Sequence, residues 1–146
     1  MIRLDRIVTR PEPLEDVFAY VAEFANVAVW DPGVVSCRKT TAGATGVGTE
    51  YHVVAKFMGA DAPMGYRVTQ WDPPNVVELE GIALVVRATD RISFRANESG
   101  GTEIRYEAEF TFKAASRIAD RLLRRVFETV GDKAMTGLEA AQIPRS

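Results

Sequence analysis

At 146 residues the chain is long enough to bury a real core and too short for two comfortable domains, so a single domain over residues 1–146 is expected. Its 47% apolar and 26% charged residues are ordinary for a folded globular protein and argue against extended disorder. Eighteen Lys and Arg against twenty Asp and Glu leave a formal charge of -2, so no global field recruits nucleic acid or an anionic membrane.

Residues 2–9 read as a short edge strand that Pro11-Glu12-Pro13 breaks. A helix follows with Pro13 near its first turn and Val17, Phe18, Val21 and Phe24 as its buried stripe. Asn26 to Gly33 (NVAVWDPG) reads as a second short helix or turn ended by Asp-Pro-Gly, because the residue before a proline is turned away from helical geometry.

From Val34 to Lys113 the pattern is that of strands, with Gly and Pro at turn spacing: Gly43 to Gly48, Gly59 to Pro63, Asp72-Pro73-Pro74-Asn75, Gly81, and Asn97 to Gly101. Six strands are expected after the first, in a meandering antiparallel sheet. Thr102 to Lys113 alternates most clearly, with Ile104, Tyr106, Ala108, Phe110 and Phe112 on one face and Glu103, Arg105, Glu107 and Glu109 on the other. In a strand expected from Leu84 to Ala96, Leu84, Val86, Ala88, Ile92 and Phe94 share a phase with one acid, Asp90. Tyr51, Val53, Ala55 and Phe57 are the inward set of their strand, opposite Glu50, His52 and Lys56, and Met64, Tyr66 and Val68 are inward in the next.

The last element runs from about Arg117 to Ala140, with Ser116 as expected N-cap. Ile118, Ala119, Leu122, Leu123, Val126, Val130, Ala134 and Gly137 form its expected apolar side, opposite Arg117, Arg121, Arg124 and Glu128. Gly137 falls on that stripe and permits a close approach, whereas Gly131 falls off it and loosens or kinks the helix.

A strand, two short helices, six strands and a long helix give an α+β domain whose one apolar sheet face is covered by the last helix. This order, with the pieces PEPLEDVFAYVAEFANVAVWDPGV, GVGTEYHV, YRVTQWDPPNVVELEG and GGTEIRYEAEF, resembles the START-like (SRPBCC) superfamily of polyketide cyclases and dehydratases, plant hormone receptors and lipid carriers. The resemblance spans roughly Leu4 to Ala140. It implies a helix-grip fold, in which a curved seven-stranded antiparallel sheet wraps around the C-terminal helix and leaves a cavity between them. On that reading the cavity is lined by Val53, Ala55, Phe57, Tyr66, Val86, Asp90, Tyr106, Phe110, Leu122, Val126 and Val130. The expected partner is a hydrophobic or amphipathic small molecule, such as a lipid, polyketide or isoprenoid-like compound.

Asp90 is the best catalytic candidate. A carboxylate among Val86, Ile92 and Phe94 is costly to ionise, so its pKa rises and it suits a general acid or base or a polar ligand anchor. The alternative is structural: a strand bulge that flips it outward, or pairing with Arg67 or Arg91. Tyr51, Tyr66 and Tyr106 are placed to point hydroxyls at a ligand, or else to pack as core aromatics. Trp30 and Trp71 sit at turns and either plug or gate.

The remaining candidates carry less. His52, the only histidine, faces outward, and one His with one Cys on a different strand supplies too few donors for a metal site or a triad. No metal and no cofactor is expected. Gly43 to Gly48 lacks the lysine and the helix start of a phosphate loop and reads as a hairpin connection. Arg117, Arg121, Arg124 and Arg125 form a basic patch broken by Asp120, Glu128 and Asp132, most simply a solvated face.

Cys37 cannot close an internal disulfide, the charged start Met1-Ile2-Arg3-Leu4-Asp5-Arg6 lacks the apolar run of a signal peptide, and no stretch reaches membrane-span length. A cytoplasmic protein without stable membrane insertion is the expectation. Three functional readings follow: a binding module, a cyclase- or dehydratase-type enzyme using Asp90 and a cavity tyrosine, and a protein-interaction regulator whose cavity is vestigial.

Overall fold

The computed structural model describes residues 1–113 and 117–146, and the side chains of all of these except 117–120. Strand β1 (Ile2–Arg10) leads into helix α1 (Leu14–Val21), a 3-10 turn (Phe24–Asn26) and the single-turn helix α2 (Val27–Trp30). Six strands follow: β2 (Val34–Lys39), β3 (Glu50–Phe57), β4 (Ala60–Asp72), β5 (Val76–Ile82), β6 (Val86–Ala96) and β7 (Thr102–Phe112). Helix α3 (Arg117–Glu139) closes the chain.

The strands form one curved antiparallel sheet in the order β1-β7-β6-β5-β4-β3-β2, so the meander is closed at one side by β1 against β7, from Ile2 opposite Phe110 to Arg10 opposite Thr102. Period-two patterning decides which face is covered. Tyr51, Val53, Tyr66, Val68, Val77, Leu79, Ala88, Ile92, Phe94 and Ile104 are buried on the inner face, together with Val17, Phe18 and Val21 from α1. The predicted α+β helix-grip architecture, with seven antiparallel strands and two short helices after the first, is the observed one.

Local chemistry explains the element ends. Pro13 is the N-cap of α1 in extended geometry, and its carbonyl accepts from the Asp16 and Val17 amides. Pro63, expected in a turn, lies inside β4 opposite Val54; β5 joins β4 only from Gly65 onward, so proline's missing donor falls on a free edge. β6 starts at Val86, not at Leu84, which is 88% exposed in the β5–β6 turn.

The C-terminal end of α3 is held from β1. Arg10 is buried, bonds both Glu12 carboxylate oxygens at 2.9 Å, and donates to the carbonyls of Glu139 and, at 2.6 Å, of Ala141. A guanidinium at that point satisfies carbonyls that the helix end leaves without partners and complements the negative end of the helix dipole.

The face of α3 turned to the sheet is rotated from the predicted one. Phe127, Ala134, Met135 and Leu138 are buried, Leu122 is 61% exposed, and Val126 is only half-buried. The cause is Phe127, the largest apolar side chain on this stretch, whose ring lies 4.4 Å from Phe110, 5.2 Å from Phe57 and 5.6 Å from Phe112 between ring centres. Gly131 lies on the contact face, where a Cβ would come within 2.9 Å of Leu4. Gly137 makes the closest approach: a Cβ there would stand 1.9 Å from the Trp30 carbonyl oxygen. Ser116, the expected N-cap, and the side chains of Arg117, Ile118, Ala119 and Asp120 lie outside the described residues.

Candidate functional site

Between the inner face of the sheet and α3 lies a cavity of about 390 Å³. Eight of the predicted lining residues meet on its wall with Asp90: Val53, Ala55 and Phe57 from β3, Tyr66 from β4, Val86 from β6, Tyr106 and Phe110 from β7, and Val130 from α3. Leu122 and Val126 do not, because the rotation that buries Phe127 turns them away; Phe127, Gly131, Ala134 and Met135 take their place. The exposed Leu84 and Val85 belong to the wall at the β5–β6 turn, beside Pro63 and Lys56.

The charged and hydroxyl-bearing side chains of this wall fall into two sets. Arg6 and Lys56 are engaged by acids outside the cavity, Arg6 by Asp132 at 3.0 Å and Lys56 by Asp61 at 2.7 Å. The other set, Asp31, Tyr66, Asp90 and Tyr106, contains no cation.

Asp90 occupies the inward phase of β6 without a bulge, opposite Leu79 and Ala108, and is 5% exposed. The Tyr106 hydroxyl donates to its Oδ2 at 2.5 Å, while Oδ1 is buried with no hydrogen-bond partner among the described residues. Burial pushes its carboxyl up to about 6, with the Tyr106 hydrogen bond pulling the other way and the Asp31 charge adding to the rise. Neither expected arginine pairs with it: Arg67 is exposed, and Arg91 is turned to Gln70 at 2.9 Å and Glu78 at 3.1 Å.

Asp31, the C-cap of α2, is likewise raised by burial, and its Oδ1 accepts the Gly33 amide at 2.8 Å. Both cavity phenols are held far above their usual range by burial first, and then by the Asp90 charge. The Tyr66 ring lies directly over Gly81, its partner in β5, where a Cβ would stand 2.5 Å from a ring carbon. Glycine at 81 is therefore what lets Tyr66 lie in this position.

Tyr51 is inward but belongs elsewhere, since its hydroxyl donates to Glu23, which also accepts from Thr45 at 2.9 Å. Trp30 packs edge-on to Tyr106 with 6.4 Å between ring centres and lines the cavity, whereas Trp71 packs against Phe18 at 5.2 Å. His52 is exposed. The half-buried Cys37 thiol is pushed up to about 12 by burial and then by the Glu23 charge, which leaves it un-ionised and poorly nucleophilic at neutral pH.

The sequence reading missed Arg6 and Asp31. Arg6 shares the inward phase of Ile2, Leu4 and Val8 on β1, a polar residue in an apolar phase like Asp90, and that signal was available. Asp31 precedes Pro32 in what looked like a plain turn, and only the packing of α2 beneath the sheet carries it to the cavity.

Residues 1–142 match the family model described as polyketide cyclase / dehydrase and lipid transport. The chain belongs to this family. Solved structures agree on the fold. A START superfamily protein from Mycobacterium smegmatis aligns with a TM-score of 0.80 at 11% identity, over 94% of each chain. The Zhui aromatase/cyclase from a Streptomyces species aligns at 0.75 and 15% identity, over 94% of this chain and 88% of that one. TTHA0849 from Thermus thermophilus aligns at 0.70 and 20% identity, over 95% and 94%. No curated protein matches the sequence. Among the described residues, no helix of this family member is long and apolar enough to cross a membrane.

Proposed function

We propose that this chain binds a hydrophobic or amphipathic small molecule, of the lipid, polyketide or isoprenoid-like kind, in the cavity between the sheet and α3, with no covalent step. The observation that carries the reading is the wall itself: about 390 Å³ bounded almost wholly by aliphatic and aromatic side chains, with a few convergent polar groups. Left dry and empty, an apolar void of that size costs about 9 kcal/mol, taking ~24 cal/mol per Å³. That rivals the ~5–15 kcal/mol by which a domain is stable, so an occupant or water offsets it. A vestigial cavity would instead be packed with bulk, and Ala55, Ala108 and Ala134 on the wall are small. The family description, which names lipid transport, supports the same reading. A cytoplasmic setting goes with it, supported by the lone Cys37.

Native mass spectrometry of the purified protein, followed by denaturing extraction, tests this directly. A stoichiometric apolar adduct is expected. A clean apo mass, together with failure to take up the neutral apolar dye N-phenyl-naphthylamine, would refute it.

An enzymatic reading has one specific observation in its favour. Asp90, with a carboxyl near 6 and a phenol hydrogen-bonded to it at 2.5 Å, is poised for proton transfer close to neutral pH. On this reading a bound polyketide-like substrate is oriented by the wall and Asp90 moves a proton in a cyclisation or dehydration. Asp90→Asn then removes turnover of the extracted compound while sparing its binding, and equal turnover in the variant excludes that role.

A further inference from the structure

Two buried side-chain polar atoms have no hydrogen-bond partner among the described residues, Asp90 Oδ1 and Trp30 Nε1, and both residues line this same cavity. Native structures rarely leave such atoms unpaired, because each forfeits its bond to water without replacement. The two are chemically complementary to a single kind of group. An indole N–H can only donate, and the free oxygen of a carboxylate whose other oxygen already takes the Tyr106 proton can accept. Trp30 packs on the Tyr106 ring, whose hydroxyl is bound to Asp90, so the three residues form one contiguous stretch of wall.

From this arrangement we infer that the cavity selects a ligand carrying a neutral hydroxyl, a phenol or an alcohol, which donates to Asp90 Oδ1 at the buried end while the apolar remainder fills the space toward Leu84 and Val85. The inference rests on the binding reading above and narrows its ligand class. A ligand carboxylate is disfavoured because it meets two acids, Asp31 and Asp90, with the nearest wall cations, Arg6 and Lys56, already engaged by Asp132 and Asp61. An ammonium group offers no acceptor to the indole and must be stripped of water among Val53, Phe110 and Val86. An ether or ketone accepts but cannot donate, so it leaves Asp90 Oδ1 as orphaned as before.

A matched series on one ring system separates these possibilities: naphthalene, naphthol, methoxynaphthalene, naphthoate and naphthylmethylamine, each measured by displacement of N-phenyl-naphthylamine. Naphthol is expected to bind about tenfold or more tighter than methoxynaphthalene, the difference a donated hydrogen bond to a carboxylate makes, and tighter than the acid and the amine. In Asp90→Asn the amide hydrogens replace the accepting oxygen, so the naphthol advantage collapses to about threefold or less while naphthalene binds as before. The wild-type series decides the matter even where the variant fails to fold. Equal binding of naphthol and methoxynaphthalene, or preference for the acid or amine, would overturn the hydroxyl assignment and leave the cavity reading standing. A dye that does not bind at all overturns both.

Discussion

Asp90 couples the cavity to the stability of the whole domain. Its carboxyl is raised from 3.8 to about 6 because burial disfavours the charged form, so the folded chain holds this proton more tightly than the unfolded one. Below the unfolded value both states are protonated and nothing is lost. As pH climbs toward 6 the unfolded chain ionises first, and the folded state forfeits about 3 kcal/mol, which is then missing at every higher pH. Asp31, the charged neighbour on this wall, is shifted the same way, while Asp5 and Glu12, lowered by their hydrogen bonds to Arg105 and Arg10, work in the opposite sense. The clean readout is therefore a difference. In urea denaturation, Asp90→Asn should gain on the wild type by about 2 kcal/mol between pH 4 and pH 7. A constant gap across that range would contradict the burial account. Tyr106→Phe makes a companion case: with the one hydrogen bond that lowers it gone, the Asp90 carboxyl should titrate above 6, as read from its carboxyl-carbon NMR shift.

At the scale of elements, α3 is located by two very different contacts. Phe127 inserts among Phe57, Phe110 and Phe112, and Gly137 lies against the Trp30 carbonyl. Phe127→Ala should therefore cost about 3–5 kcal/mol, and Leu122→Ala no more than about 0.5 kcal/mol, in the same denaturation assay. Comparable losses would restore the face expected from periodicity. Gly137→Ala has no room for its methyl and should be destabilising too, with the helix pushed off α2. The contrast shows what the sequence could and could not reveal. The strand phases were legible because each inward residue repeats every second position, and a one-residue error would put Val53 or Tyr106 in water. The helix phase was not, because Leu122–Val126 and Leu123–Phe127 are both apolar i, i+4 pairs on adjacent faces, and the choice between them depends on the shape of the opposing sheet. Gly131 misled for the same reason, since a glycine has no side chain to declare which face it serves until Leu4 is found beside it.

Across the whole molecule α3 is anchored near its middle and at its C-terminal end, and the cavity lies against the stretch between. The aromatic cluster of Phe127 holds the middle of the helix, the Arg10–Glu12 clamp holds its C-terminal end, and the span between them presents small side chains, Val130, Gly131 and Ala134, to the cavity, with Ala55 and Ala108 also on its wall. A sheet and a helix so tied cannot collapse onto the gap without breaking one of the two anchors, and this is why an apolar cavity persists beside a well-packed core. The space should therefore be separable from the fold. Ala55→Phe projects a ring from β3 into the cavity, so it should leave the thermal midpoint unchanged or raise it, while abolishing uptake of N-phenyl-naphthylamine. The wild type at dye concentrations ~100 times the dissociation constant should gain about 2.7 kcal/mol from binding, a rise in midpoint that the variant lacks. An Ala55→Phe protein that still takes up the dye and is still stabilised by it would place the binding site outside this cavity.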